Sequence, residues 1–204
     1  MSDETRQVGE AMRLVIDRLV ATTAPATELL KAAAALDAIA AALEPFPQGR
    51  LFEGFAESAN AGDTHAFFDN SPIIGRANPL APPIHVEMED DVVIGRVRFG
   101  AAYEGPPGCV HGGFIAASFD EVLGMTQSLA GQPGMTGTLT VRYRKPTPLH
   151  TDLRFEGRLD RVEGRKIFTV GRVYNGEEMT AEAEAVFITV NFAKIAELYA
   201  QRDK

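Results

Sequence analysis

Hydrophobic and polar positions recur along this chain in three distinct ways, and each predicts a different kind of element. In QVGEAMRLVIDRLV, Val8, Ala11, Met12, Val15, Ile16, Leu19 and Val20 return at three- and four-residue steps, the stripe of an amphipathic helix. TTAPAT interrupts the stripe with Pro25. Thr27 is the expected N-cap of a second helix, TELLKAAAALDAIAAALEP, rich in alanine and closed by Pro45 and Pro47. Residues 1–48 are therefore expected to form a helical hairpin laid on the main domain, with a helical dimer arm as the alternative.

The second pattern is an absence of pattern. Residues 49–82 scatter proline, glycine and asparagine, as in FDNSPIIGRANPLAPP, and predict an irregular wrapping segment with one short strand near Ile73. The third is alternation, which dominates residues 83–204. HVEMEDDVVIGRVRFG predicts a hairpin. TLTVRYRKP, DLRFEGRLDRVEG, KIFTVGRVYNGEE and MTAEAEAVFITVNF predict four successive strands, with turns at Glu163-Gly164 and Asn175-Gly176. Strands joined in this way imply an antiparallel meander, and a hairpin, one helix and a meander make an α+β fold.

The helix between them poses the chemical question. VHGGFIAASFDEVLG is apolar except for His111, Ser118, Asp120 and Glu121, and a helix from Gly112 to about Leu129 has no broad polar face. Such a helix must be covered on nearly all sides, and a curved sheet wrapped around it is the simplest cover. At 3.6 residues per turn, Gly113, Ala117, Asp120 and Gly124 share one stripe on which the acid is the only reactive group. A buried carboxylate costs several kcal/mol unless paired or hydrogen-bonded, so Asp120 is either a structural acid or a candidate base or nucleophile. Glu121 is expected at a solvent edge or subunit boundary. His111 opens the helix, and Gly112 and Gly113 let a ligand oxygen approach its first free N–H groups at the positive end of the dipole. The plainer reading is a capping histidine and a glycine turn.

Charge and composition narrow the classes. The net charge is −8, which disfavours general nucleic-acid binding. Against it, Arg142, Arg144 and Lys145 cluster in RYRKP, and Arg165 and Lys166 share a turn. These are the basic spots that a phosphorylated ligand would need. The alternative is a solvated strand face with partners such as Glu156 or Glu163. The lone Cys109 points to a reducing compartment, and the absence of a secretory signal or membrane span makes a cytoplasmic location the expectation. There is no G-x-S-x-G elbow, nucleotide fingerprint or metal-ligand spacing among His65, His85, His111 and His150, and Cys109 lacks a group to orient a Cys-His pair.

Taken together, EGPPGCVHGG, Asp120 nine positions after His111, MTGTLTVRYRKPTPL and DRVEGRKIF resemble the hotdog-fold acyl-CoA thioesterases. The likeness is nearest to the mammalian thioesterase-superfamily proteins acting on long-chain acyl-CoA, and more distant to the phenylacetate-pathway type. It covers about Pro83 to Val190. The resemblance implies a sheet wrapped around the central helix, a homodimer or dimer of dimers, and active sites shared between subunits. It implies Asp120 as general base or nucleophile, the Gly113 N–H with Gly112 beside it as the hole for the thioester oxygen, and His111 shaping that hole. Thr136 falls where a hydroxyl helps position water, with Gly137 beside it toward the substrate. The phenylacetate type often carries an amide side chain where this sequence has Gly105.

The expected activity is hydrolysis of an acyl-CoA, with coenzyme A present only as part of the substrate and no metal or other cofactor. The competing class is a hotdog module that binds acyl-CoA without cleaving it. A hydratase is disfavoured, because its Asp/His pair on one loop has no counterpart. Phe67 and Phe68 are candidates for the acyl tunnel.

Overall fold

The computed structural model describes residues 3–46, 69–82 and 84–190. Among them are three α-helices and six strands: α1 Asp3–Ala21, α2 Ala26–Leu43, β1 His85–Glu89, β2 Val92–Val97, α3 Gly112–Gln127, β3 Gly134–Tyr143, β4 Leu153–Glu163, β5 Lys166–Asn175 and β6 Glu178–Thr189. The expected α+β class holds, and the central helix starts at the expected glycine. Its last turn tightens into a 3-10 segment at Ser128–Ala130.

One antiparallel sheet runs in the order β1-β2-β4-β5-β6-β3. The expected meander is therefore three strands long, because β3 pairs with β6 rather than with β4. The connection from β3 to β4 explains the difference. It carries Pro146 and Pro148, which cannot donate to a ladder. It is instead stitched to the loop before α3, where Val110 N–H donates to Thr147 O (2.8 Å) and Leu149 N–H to Gly108 O (3.0 Å). The remaining hairpins close with loops Asp90–Asp91, Gly164–Arg165 and Gly176–Glu177, one residue later than expected in the last two. Each first loop residue has a left-handed backbone, with φ of 52°, 57° and 58°, which glycine adopts freely and aspartate tolerates.

The core lies between α3 and the sheet. Ile115, Phe119, Val122 and Leu123 point into it at no more than 2% exposure, against Phe155, Ile167, Val173 and Phe187. Two glycines on adjacent strands let the helix sit this close. A Cβ on Gly157 would stand 2.2 Å from Thr126 Oγ1, and one on Gly171 would stand 3.1 Å from Phe119 and Leu123 side chains. The opposite side of α3 is different: Gly113 and Asp120 are exposed, and Ala116, Ala117 and Gly124 only partly covered. Within one chain the sheet covers one side of the helix, not nearly all sides.

The two expected N-terminal helices are present, and α1 is the one that meets the domain. α1 buries only Gly9, and α2 buries no residue. α1 docks through its charged face: Arg6 forks onto Asp69 (2.8 and 3.2 Å), and Arg13 donates to the Asn78 and Arg76 carbonyls (both 2.9 Å). Asp17 reaches the Ala102 N–H (3.4 Å). Pro25, not Thr27, occupies the N-cap of α2, because its extended backbone lets Pro25 O accept from Glu28 and Leu29 N–H (2.9 and 3.2 Å).

The described part of the wrapping segment, residues 69–82, is a series of turns with no strand at Ile73. Ser71 Oγ accepts from the Ile73 and Ile74 N–H groups (3.1 and 3.2 Å), which diverts the backbone from a ladder. Phe67, Phe68 and His65 lie outside the described residues.

Candidate active site

The start of α3 is built by its flanking residues. His111 leaves the preceding loop with extended backbone (ψ 131°), and its Nδ1 accepts the Gly113 N–H at 3.0 Å. An accepting Nδ1 carries no proton, so the neutral ring carries it on Nε2. Phe114 N–H donates to His111 O (3.0 Å), and Tyr143 OH donates to Gly112 O (2.7 Å), fixing the first turn to the end of β3. The Gly113 amide, expected to hold a ligand oxygen, is occupied by the capping histidine; the Gly112 amide is the first-turn donor without an acceptor among the described residues. Gly105 also finds its reason, since a Cβ there would stand 2.7 Å from His111 Cα. An amide side chain at that position would displace the cap.

Asp120 is exposed, not buried. Within one chain its own sheet does not sequester it, because the apolar helix has a side that the sheet does not reach, and Asp120 stands on it with Gly113, Ala117 and Gly124. Thr136 Oγ1 donates to Asp120 Oδ1 at 2.8 Å, bringing together two residues that the sequence pairs only by resemblance. The register of β3 against β6 slips between Thr136 and Thr138, so Gly137 forms a bulge beside this contact. Bulges re-aim side chains next to reactive groups, and here the bulge turns the hydroxyl toward the helix. Nine residues at 1.5 Å each put Asp120 about 13 Å along the axis from the turn that His111 caps.

Glu121, expected at a solvent edge or subunit boundary, is held within the chain by the turn before β1. It lies half-buried and accepts a hydrogen bond from Ser71 Oγ (2.8 Å), tying α3 to the turn at 71–74. Burial pushes its carboxyl above the ordinary glutamate range; the Ser71 bond draws it back, and the adjacent Asp120 charge adds to the rise. The clue in the sequence was that Glu121 shares a stripe with Phe114, Ser118 and Met125, of which Ser118 is fully buried.

The basic cluster is largely neutralised. Arg142 pairs with Glu184 (2.5 Å), Arg144 with Glu182 and Lys145 with Glu178, all from β6. The partners are not Glu156 and Glu163, which pair with Arg154 and Arg161. The Arg144 bond and charge hold Glu182 below the usual carboxylate range. Arg165 differs: it donates to the Thr189 carbonyl (3.1 Å) and has no carboxylate partner among the described residues. No group of three or more His, Cys, Asp or Glu side chains among the described residues is placed to hold a metal ion, and no described helix is long and apolar enough to cross a membrane.

Comparisons with known proteins identify the family and the fold. A family model described as Thioesterase superfamily matches residues 107–182. The crystal structure of a thioesterase superfamily protein is 34% identical, covers 90% of this chain and 94% of its own, and superposes with a TM-score of 0.78. Acyl-coenzyme A thioesterase THEM4 of Xenopus laevis is 36% identical over 91 residues, which are 44% of this chain and 41% of that protein. Acyl-coenzyme A thioesterase THEM5 of Homo sapiens is 27% identical over 141 residues, 68% of this chain and 56% of that protein. The chain thus spans about half the length of these curated relatives.

Proposed function

The chain belongs to the thioesterase superfamily and takes its hotdog fold, and from that premise we propose that it hydrolyses an acyl-CoA thioester to a free acid and coenzyme A. The observation that carries the reading is the Asp120–Thr136 pair, a carboxylate steadied by one hydrogen bond yet open on an otherwise apolar stripe. A pure binding module has no use for a negative charge against the acyl group.

In this mechanism the thioester carbonyl lies over the N-terminus of α3, where the open Gly112 amide and the helix dipole favour charge on its oxygen. Thr136 occupies one carboxylate oxygen of Asp120 and leaves the other to take a proton from water. The water oxygen adds to the carbonyl carbon, and the tetrahedral oxyanion collapses with cleavage of the C–S bond. Coenzyme A leaves as a thiolate that is then protonated. His111 keeps the first turn in shape through its bond to Gly113.

One protomer's Asp120 is about 13 Å from its own helix start, too far to act on a carbonyl held there. A homodimer solves this by placing Asp120 against the partner's helix start. The open edge of β3, which bears Thr136, and the uncovered side of α3 are the surfaces that such a pair would close. Arg165, which has no carboxylate partner among the described residues, is the candidate cation for a coenzyme A phosphate, with Gly137 beside the reacting centre. Arg142, Arg144 and Lys145 contribute only by exchanging a carboxylate partner. The test is free-thiol release across a series of acyl-CoA chain lengths, run beside thermal shifts with non-hydrolysable analogues. Thiol release supports the reading; a thermal shift without thiol release replaces it with a binding module.

A further inference from the structure

The far end of β3 reaches the start of α3 through one side chain that the proposed chemistry leaves unused. Strand alternation turns Arg142 and Arg144 to the β6 carboxylates and Tyr143 the other way, with Leu139 and Val141, toward the helix. Tyr143 is 53% exposed, so core packing does not account for it. Its hydroxyl donates to Gly112 O at 2.7 Å, and a Cβ on Gly112 would stand 3.3 Å from the ring and from that oxygen. The strand end is itself held: Tyr143 pairs with Ala181, and the Arg144 and Lys145 N–H groups both donate to Thr180 O (2.8 and 3.0 Å). A held strand thus grips two successive glycines at the opening of α3, the residues with the most backbone freedom to lose.

We propose that Tyr143 is a positioning residue: it clamps the Gly112–Gly113 peptide and so aims the open Gly112 amide at the substrate's carbonyl oxygen, a role that rests on the hydrolysis of an acyl-CoA. The Gly112 carbonyl and the Gly113 N–H belong to one peptide plane. Tyr143 holds its oxygen and His111 Nδ1 holds its N–H, so the plane is fixed at both ends. On the preceding side, the Val110 and His111 N–H groups are tied to the Thr147 and Tyr103 carbonyls (2.8 and 2.9 Å). The Gly112 N–H lies between these fixed points and, among the described residues, is left free for a ligand. A preorganised donor stabilises developing charge without moving at the moment of reaction, whereas a frayed helix end offers its amides in many directions. The same strand brings Thr136 to Asp120 (2.8 Å), so β3 sets both the acid and the helix start of one chain.

The test is Tyr143→Phe in the full chain, which keeps the ring and removes only the hydroxyl. Tyr174→Phe is the control, a β5 tyrosine whose ring meets Arg154 (5.1 Å) rather than α3. Two quantities are measured: the amide order parameters of Gly112 and Gly113 by NMR relaxation, and steady-state thiol release from an acyl-CoA. In Tyr143→Phe both order parameters should fall from about 0.85, the value of a rigid backbone, to about 0.6 or less. Removing an oxyanion donor outright costs about 100-fold or more in kcat, so loosening one should lower kcat about tenfold, with KM and the urea midpoint unchanged. The control should match the wild type in both. Unchanged order parameters overturn the clamp, whatever the rate does. Lower order parameters with wild-type kcat overturn its part in turnover and leave only a helix cap. A raised KM at constant kcat overturns it too, because the tyrosine would then be holding substrate. If the wild type releases no thiol from any acyl-CoA, the hydrolysis reading fails, and the order parameters still decide the clamp.

Discussion

Two amphipathic helices in this molecule follow the same sequence logic and dock in opposite ways. α3 gives its large apolar side chains to the sheet and leaves a small-residue stripe with one acid exposed. α1 gives its charges to the body and leaves its apolar seam exposed. Hydrophobic periodicity shows that a stripe exists, but not which surface will meet it. For α1, the bidentate Arg6–Asp69 contact, the carbonyls met by Arg13 and the close approach at Gly9 outcompete the seam for the domain. For α3, the glycines of β4 and β5 remove any polar competitor and let the helix sink.

The comparison breaks most sharply at Gly157. Replacing it by valine forces a side chain into Thr126 and Val122, and should cost about 1–3 kcal/mol or more in urea unfolding, as overpacking in a close-packed core does. An unchanged midpoint would mean that α3 is not seated as described. A smaller effect is expected at Gly164, where φ is +57° and nothing crowds a Cβ. Gly164→Ala should cost about 1 kcal/mol from backbone strain alone.

On the α1 side the effect should be local. Arg6→Ala leaves Asp69, 5% exposed, without its guanidinium, and should speed amide hydrogen exchange in α1 and residues 69–78 while leaving β4 to β6 protected. The wild-type contact should weaken with added salt, whereas α3 should not respond.

Glu121 supplies the smallest and most specific test. Its carboxyl is raised in the folded protein, so the folded state binds that proton more tightly than the unfolded chain. Its contribution to stability is fully present below the ordinary glutamate range and is lost as pH rises through the raised value. Urea midpoints between about pH 4 and 8 should therefore fall more with rising pH in the wild type than in Glu121→Gln. Parallel curves would place Glu121 in open solvent.

The sequence carried the architecture unevenly. α3 was legible because glycines, a capping histidine and an apolar run coincide, and β4 to β6 were legible because alternation ends at tight loops. The place of β3 was not, since adjacency suggests a hairpin and only the prolines of its connection argue otherwise. The ion partners of Arg142 and Arg144 could have been read from Glu184 and Glu182, which alternate along one side of β6, whereas Glu178, the partner of Lys145, lies beyond a slip in the register. The exposure of Asp120 could not be read, because a helix apolar on most sides does not reveal which side a sheet will take.

The most direct test of the account is thiol release by Asp120→Asn, an isosteric change that keeps the Thr136 contact but cannot accept a proton from water. Loss of a positioned base should lower kcat/KM by about 100-fold or more with the unfolding midpoint preserved. Turnover within tenfold of wild type, about 1.4 kcal/mol in barrier height, would contradict the role given to this carboxylate.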